Sequence, residues 1–534
     1  MRLVDYLDRG ARLFPQRDCL VQGKQRWTFT EAEALTHQVA FALQASGIKP
    51  GDRVAVYSPN HAMAFVAMFG IFRYGAVWVP INARNALDEN LHFLEQTSTS
   101  FLFYHRKFTD TLPQMAEQLP QLRQVVCLDQ IEQSGSDQFQ RFVQAEFASW
   151  LSVNNGDSEK TQFPSRPDDP GEVVFLIASG GTTGKPKGII HTNRSMETMV
   201  ATYLSTVPRN SPTDKPPVHL LVAPMTHGAG MTCFPLLCQG ATTVVMEEAD
   251  PQEVMRMIEH HKVTHLFLPP TVIYMMLAHP KARDYDYSSL EYFLYAAAPM
   301  SSEKLKQALD IFGPVMAQTF GQAEAPMICT YLSPQDHERA LEDGNHQRLK
   351  SCGQVTPFTR LEVMDDQGNI LAQGERGELV VRGGLVMEGY FDNPEATAEA
   401  SEHGWHHTGD IGYIDEEGFV YIVDRKKDMI ISGGFNVYPA EVEQVIWSHP
   451  AVQDCAVIGV PDEKWGEAVK AVVEPVPGQT VDSDEIVRLC KDKLGSVKAP
   501  KSVEVWETLP RSPVGKVLKK SIRERFWQSA DRTI

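Results

Sequence analysis

The sequence predicts an α/β protein in two parts: a large N-terminal domain, residues 1–424, with mainly parallel sheets flanked by helices plus a β subdomain, and a small α+β C-terminal domain, residues 425–534. Three observations carry this expectation. Helix and strand periodicities alternate through the first 105 residues and resume after Val218; between Leu361 and Val423 the pattern turns antiparallel; past Arg425 it contracts into a compact mixture of both. A chain of 534 residues also exceeds what one core usually supports.

Taken in order, Thr30 to Ser46 spaces its apolar residues as an amphipathic helix, and Arg53-Val54-Ala55-Val56-Tyr57 is a buried strand. His61 to Tyr74 reads as a helix and Gly75 to Pro80 as the next strand, giving the strand–helix–strand units that build parallel sheets. Leu151 to Glu172 is polar and rich in Pro and Gly, which predicts a surface connection before the buried strand Val173 to Ile177. His219–Pro224, Ala241–Met246, Leu266–Pro269 and Tyr292–Pro299 are further strands, with a helix near Pro251 to His261. Ser333 to Lys350 is charged and predicts a loop. Leu361–Met364, Gly377–Val381 and a hairpin from Ile411 to Val423 around Glu417-Gly418 supply the antiparallel part. In the small domain Val442, Val445 and Ile446 share a helical face, Ala456–Val460 and Val469–Val473 read as strands, and Ile486 to Leu494 as a helix.

The net charge of −18 argues against nucleic acid as a general partner and means that an anionic substrate must be drawn in by local cations. Eight cysteines with no Cys-x-x-Cys pair fit reduced, packed thiols and a cytoplasmic protein. The start, Met1 to Asp8, lacks the apolar core of a signal peptide, and the tail Asp531 to Ile534 matches no lipidation or peroxisomal address. The most apolar stretch, Ala62 to Phe72, is too short for a transmembrane segment.

The chemistry centres on Ser179-Gly180-Gly181-Thr182-Thr183-Gly184-Lys185-Pro186-Lys187-Gly188. Glycines let backbone N–H groups turn toward an anion, hydroxyls donate hydrogen bonds and lysines add charge, so the loop suits a polyphosphate. It is not a Walker loop, because Gly184-Lys185 runs into Pro186, which has no N–H. By composition alone it fits a phosphate site or a solvated turn equally. Four more stretches carry candidate groups: Ala223 to Gly230 with His227, Gln318 to Glu324, Thr408-Gly409-Asp410, and Arg425 to Asp428 followed by Gly433-Gly434. A fifth is Pro510 to Lys520 with Gly515-Lys516.

Together, in this order, these motifs resemble those of the adenylate-forming superfamily of acyl- and aryl-CoA synthetases, luciferases and peptide-synthetase adenylation domains, over nearly the whole chain. The resemblance implies ATP, Mg²⁺ and CoA as the small-molecule partners of a carboxylic acid. It places Ser179, Gly180, Gly181, Thr182, Thr183, Gly184 and Lys187 on the phosphates; Phe320 and Ala298 beside the adenine, with Thr319 and Gly321 also binding ATP or AMP; Asp410 and Arg425 on the ribose; and Glu324 on the metal. It makes Lys516 the lysine that reaches carboxylate and α-phosphate together, with His227 facing the acid and Lys427 the hinge of a mobile small domain. Gly433 and Gly434 would line the thiol path, Trp465 could stack on the CoA adenine or pack within the small domain, and His227, Gly228, Ala229, Ala297 and Gly321 would line the acyl pocket. Ala323 departs from the family, which commonly has Thr there. The small residues Ala296 to Ala298, Gly228 to Gly230 and Gly321 suggest room for a medium-to-long aliphatic or an aryl acid, in a monomer or homodimer. The expected function is an AMP-forming acyl-CoA ligase of fatty acid metabolism; an amide-bond ligase or a carrier-protein loader shares the first step, and a non-catalytic nucleotide-binding protein is the remote alternative.

Overall fold

The computed structural model describes residues 1–129, 143–155, 161–179, 186–208, 215–432, 435–462, 465–512 and 516–527, and these form four sheets. An eight-stranded sheet has a parallel centre, Val77–Asn82, Arg53–Ser58, Phe101–Tyr104 and Gln124–Cys127. A nine-stranded sheet is parallel through Thr242–Val245, Val218–Leu221, His265–Leu268, Tyr292–Tyr295 and Met316–Phe320. The strand Asp18–Gln22 joins this second sheet, parallel to Thr242–Val245, so the amino terminus crosses from one sheet to the other. Strands buried on both faces explain the unbroken apolar runs read from the sequence.

The apolar stretch is a core helix, Ala62–Tyr74, ended by Gly75 at φ +87°. It lacks a polar face because it packs on both sides: the Phe72 ring lies 5.9 Å from Trp78 of the first sheet and 6.2 Å from Phe234 beside the second. Just before it, Asn60 rivets the two sheets. Its buried amide donates to the carbonyls of Val222 (2.9 Å), Ala223 (3.1 Å) and Met246 (3.0 Å), and its Oδ1 accepts the Met225 N–H at 2.7 Å.

Thr359–Met364, Gly377–Gly383, His406–Ile414 and Val420–Arg425 form an antiparallel sheet, including the expected hairpin. The fourth sheet lies within residues 430–505 and its two apolar clusters draw only on residues from Ile430 onward. No helix among the described residues is long and apolar enough to cross a membrane, and the eight cysteines are free and buried.

Two expectations are corrected. The stretch from Leu151 begins inside a helix, Phe147–Asn155, because Trp150 and Leu151 are buried, Trp150 against Phe101 and Phe103 at 5.6 and 5.3 Å. The charged segment after Ser333 contains a helix, Pro334–Glu342, nucleated by a capping box in which Ser333 and Asp336 bond reciprocally. Its charges face solvent while His337 and Ala340 are buried.

Replacing Asn60 by Ala orphans buried backbone groups at the ends of two strands of the second sheet, which costs about 2–3 kcal/mol. Thermal unfolding of Asn60→Ala is expected several degrees below wild type by calorimetry, and an unchanged midpoint would refute the rivet.

Candidate active site

The glycine-rich loop joins two antiparallel strands, Val173–Ala178 and Gly188–Thr192, rather than a strand and a helix. Ser179 N–H donates to the Lys187 carbonyl at 2.8 Å and Lys187 N–H to Ser179 Oγ at 2.9 Å, closing the neck. Gly180, Gly181, Thr182, Thr183 and Gly184 lie outside the described residues, as does Lys185. At the base, Lys187 Nζ stands 4.9 Å from the centre of the Tyr390 ring, and Tyr390 Oη donates to Glu324 Oε1 at 2.9 Å. Burial, with the Glu324 charge beside it, pushes the Tyr390 hydroxyl far above its ordinary range, so it stays a donor. Tyr390 has no place in the sequence expectations; its edge strand pairs Gly389-Tyr390 with Ile190-Ile189, a contact no local pattern announces.

Glu324 follows the strand Met316–Phe320 and a tight loop. Gly321 is required there: a Cβ would sit 2.6 Å from the Met327 nitrogen and 2.8 Å from its carbonyl carbon. Met327 itself takes φ +70°. At Ala323 it is the main chain that is held, its carbonyl accepting from His191 Nε2 at 2.7 Å. Burial pushes His191 down to about 4, against the opposite pull of the Ala323 carbonyl and Glu324, so the ring is neutral. Thr319 is buried with no partner for its hydroxyl among the described residues, and Phe320 is half-buried. Ala297 is exposed and holds φ +74°, a conformation costly for a residue with a Cβ, beside the half-buried Ala298.

Asp410 and Arg425 face each other across the hairpin, Asp410 Oδ1 to Arg425 Nε at 2.8 Å. Gln322, absent from the sequence expectations, donates from Nε2 to Asp410 Oδ2 at 2.7 Å and to the Thr408 carbonyl at 2.8 Å, tying the Glu324 loop to this pair. Burial raises the Asp410 carboxyl, while Arg425 and Lys516 favour its charged form.

His227 sits on a turn that Asn60 holds through Met225. Its Nδ1 lies 2.8 Å from Thr226 Oγ1, and burial, aided by the charges of Arg84 and Lys516, lowers it to about 4. The small residues here let neighbouring groups pack closely. A Cβ on Gly230 would lie 1.9 Å from the Met225 carbonyl oxygen, and one on Gly228 3.2 Å from the Phe267 ring; Ala229 is buried.

Lys516 arrives from residues far along the chain on a short turn, its N–H donating to Ser512 Oγ at 3.1 Å and its carbonyl accepting the Ser512 N–H at 2.7 Å; Gly515 lies outside the described residues. Desolvation in the cleft and the repulsion of Arg425 lower its ammonium to about 8, Asp410 opposes the shift, and Lys427 adds to it. Partial desolvation likewise lowers Lys427, which is exposed on the helical turn Lys426–Asp428. Lys516 thus meets Asp410, Arg425, Lys427 and His227 in one electrostatic neighbourhood. Gly433 and Gly434 are outside the described residues. The strands flanking them bring Ser432 opposite both Phe435 and Gly466, so Ile431, Phe435 and Trp465, 53%, 59% and 40% exposed, gather at one tip. Lys501 Nζ is 5.9 Å from the Trp465 ring centre.

The family model for AMP-binding enzymes matches residues 7–391, and that for the AMP-binding enzyme C-terminal domain matches residues 441–516. The chain is 42% identical over 374 residues to a medium/long-chain-fatty-acid–CoA ligase, FadD8, of Mycobacterium tuberculosis, an alignment that takes in 68% of this chain and 63% of that protein. It is 35% identical over 525 residues to a feruloyl-CoA synthase of an Amycolatopsis species, covering 97% and 98% of the two. Among solved structures, the amide bond synthetase McbA of Marinactinospora thermotolerans superposes with a TM-score of 0.85 at 27% identity, over 98% of this chain and all of that one.

Because Lys516 is lowered to about 8, its amine becomes nucleophilic at a pH where an ordinary lysine stays protonated. Competitive acetylation read by mass spectrometry is expected to show Lys516 reactivity rising through a midpoint near 8, against about 10.4 for exposed lysines.

Proposed function

The chain belongs to the family of AMP-binding enzymes, and from that membership we propose that it joins a carboxylic acid to CoA through an acyl-adenylate. The single observation that carries this reading is the convergence of Lys516 on the Asp410–Arg425 pair and His227. In the first step a carboxylate oxygen attacks the α-phosphorus of ATP and pyrophosphate leaves. Two anions must approach, and a cation between them gains value as charge builds in the transition state. Lys516 takes that role. The loop Ser179 to Lys187 holds the phosphates, Asp410 and Arg425 hold the ribose, and Ala298, Thr319, Phe320 and Gly321 border the adenine. The neutral imidazole of His227 orients the acid without taking its proton, and Gly228, Ala229, Ala297 and Gly321 border the acyl group.

Mg²⁺ fits the site as a metal shared with the nucleotide. Among the described residues no group of three or more His, Cys, Asp or Glu side chains is arranged to hold a metal, so Glu324 would be its one protein carboxylate and phosphate and water the rest. Such an ion would neutralise phosphate charge.

In the second step the CoA thiolate attacks the acyl carbon and AMP leaves. We assign residues 1–424 to a large domain and 425–534 to a small one that turns about Lys427, removing Lys516 and presenting Gly433, Gly434 and Trp465 to the acceptor. The relatives named for medium/long-chain fatty acids and for feruloyl-CoA support an aliphatic or aryl acid. Likeness to an amide bond synthetase favours an amine acceptor as the second reading, in which the first step is the same. The eight unpaired, buried cysteines suit a reducing cytoplasm.

Carboxylate-dependent ATP–pyrophosphate exchange without CoA, across acetate, medium and long fatty acids and cinnamate types, is expected with the aliphatic or the aryl class; its absence throughout would overturn the reading. Product that appears only when CoA is added separates the thioester from the amide. Lys516→Ala should lower the exchange rate by about 10²–10³-fold with the chain still folded. Because the ammonium is the active form, kcat/KM for exchange, measured at sub-saturating ATP so that it reports the free protein, should fall as pH rises through about 8, and a value flat to pH 10 would remove Lys516 from the mechanism.

A further inference from the structure

The helix Pro439–Ile446 has no side-chain cap of its own: Tyr438 offers only its carbonyl, to the Glu441 N–H at 3.1 Å, and Pro439 has no N–H. Its first available donor, Ala440 N–H, is taken at 2.7 Å by Oδ2 of Asp424, a buried carboxylate whose Oδ1 accepts the Arg425 N–H at 2.7 Å. Asp424 is the next-to-last residue of the strand Val420–Arg425 and precedes Lys427; Ala440 follows it. The cap therefore crosses the hinge.

Behind the cap lies a buried ion network. Glu443, on the same helix, accepts the Val457 N–H at 2.7 Å and Lys519 Nζ at 2.8 Å. Lys519 opens the helix Lys519–Trp527, three residues after Lys516, and its charge also steadies Asp424 against the burial that raises it. From the same helix Arg523 reaches Asp428 of the hinge turn at 3.3 Å. Glu443, Val457 and Lys519 all follow Lys427 and travel as one body. Asp424 is the member left behind when that body turns.

We propose that Asp424 is a positioning residue for Lys516: by capping the helix Pro439–Ile446 from the far side of the hinge, it holds the small domain in the orientation that delivers Lys516 to the nucleotide site. This rests on the reading of Lys427 and Lys516 given above. A turn about Lys427 breaks the Asp424–Ala440 bond and spares the Glu443–Lys519 pair, so the cap acts in the adenylate-forming orientation alone. A residue that merely supported the fold would affect both half-reactions.

The test compares wild type, Asp424→Asn and Asp424→Ala as full chains. Pyrophosphate exchange is expected to fall roughly tenfold in Asp424→Ala, the effect of losing a charge-assisted bond, and less in Asp424→Asn, whose amide oxygen still accepts one N–H. Thioester formation from presynthesised acyl-adenylate and CoA is expected to hold at the wild-type rate. Trypsin cleavage after the exposed Lys426 and Lys427 should quicken several-fold in the same order, a readout that needs no knowledge of the acid. Equal loss of both half-reactions, or cleavage at the wild-type rate, would overturn the proposal. If Asp424→Ala fails to fold, Asp424→Asn carries the comparison. Absence of exchange in the wild type with every acid would defeat the ligase reading instead, and the trypsin arm would still decide the role of Asp424.

Discussion

The cross-strand pair of Asp410 and Arg425 is the contact on which the site depends. A buried carboxylate is costly unless its charge is matched and its lone pairs are occupied. Here Arg425 and Gln322 occupy both oxygens, and Gln322 belongs to the loop that carries Glu324. One short hairpin thus fixes the distance between the groups assigned to ribose and metal. Because successive residues of a strand face opposite ways, the same hairpin serves a second purpose. Arg425 points to Asp410, and its neighbour Asp424 turns to the helix Pro439–Ile446.

Cation chemistry follows from that frame. The chain carries −18 overall, yet Arg425, Lys427 and Lys516 share one cleft, and each disfavours the charge of the next. Desolvation first, and then the charges of Arg425 and Lys427, lower the Lys516 ammonium to about 8, with Asp410 opposing. A polyphosphate among these cations favours their charged forms, and more so as charge builds in the transition state. The two histidines are handled the other way. His191 and His227 are desolvated into neutrality, so neither adds to the crowding: one anchors the Ala323 carbonyl and the other lies against the Thr226 hydroxyl.

What the sequence makes legible divides by range. The parallel sheets and the charged motifs are local patterns, and periodicity or residue type reveals them; the glycine-rich loop is as local, but its composition alone fits a turn equally well. Groups whose work is done across great separations are not. Asn60 bonds to partners 162 to 186 residues away, Gln322 reaches Asp410 across 88, and Tyr390 reaches Glu324 across 66. Nothing near these residues in the chain distinguishes them from surface polar groups. The Ser333 capping box, by contrast, was present as Ser-Pro-Gln-Asp and was outweighed by the charge that follows it. Glycine carries a long-range signal of its own: at Gly230 and Gly321 the missing Cβ is space used by the main chain of Met225 and Met327.

The segment around Lys427, proposed above as the hinge, ties residues on its two sides together. The helix Pro439–Ile446 lacks a cap of its own, and a helix end left without partners carries an energetic debt. In the orientation seen here Asp424 discharges it, and Arg376 adds a 2.9 Å pair to Glu441 in the same first turn. Both contacts come from before Lys427. A small domain able to cap this helix by itself would have less reason to sit where Lys516 meets Asp410. Leaving the cap to a residue on the other side of the hinge makes orientation and local stability one quantity, so the bond that completes the helix also selects the state in which the lysine is in place.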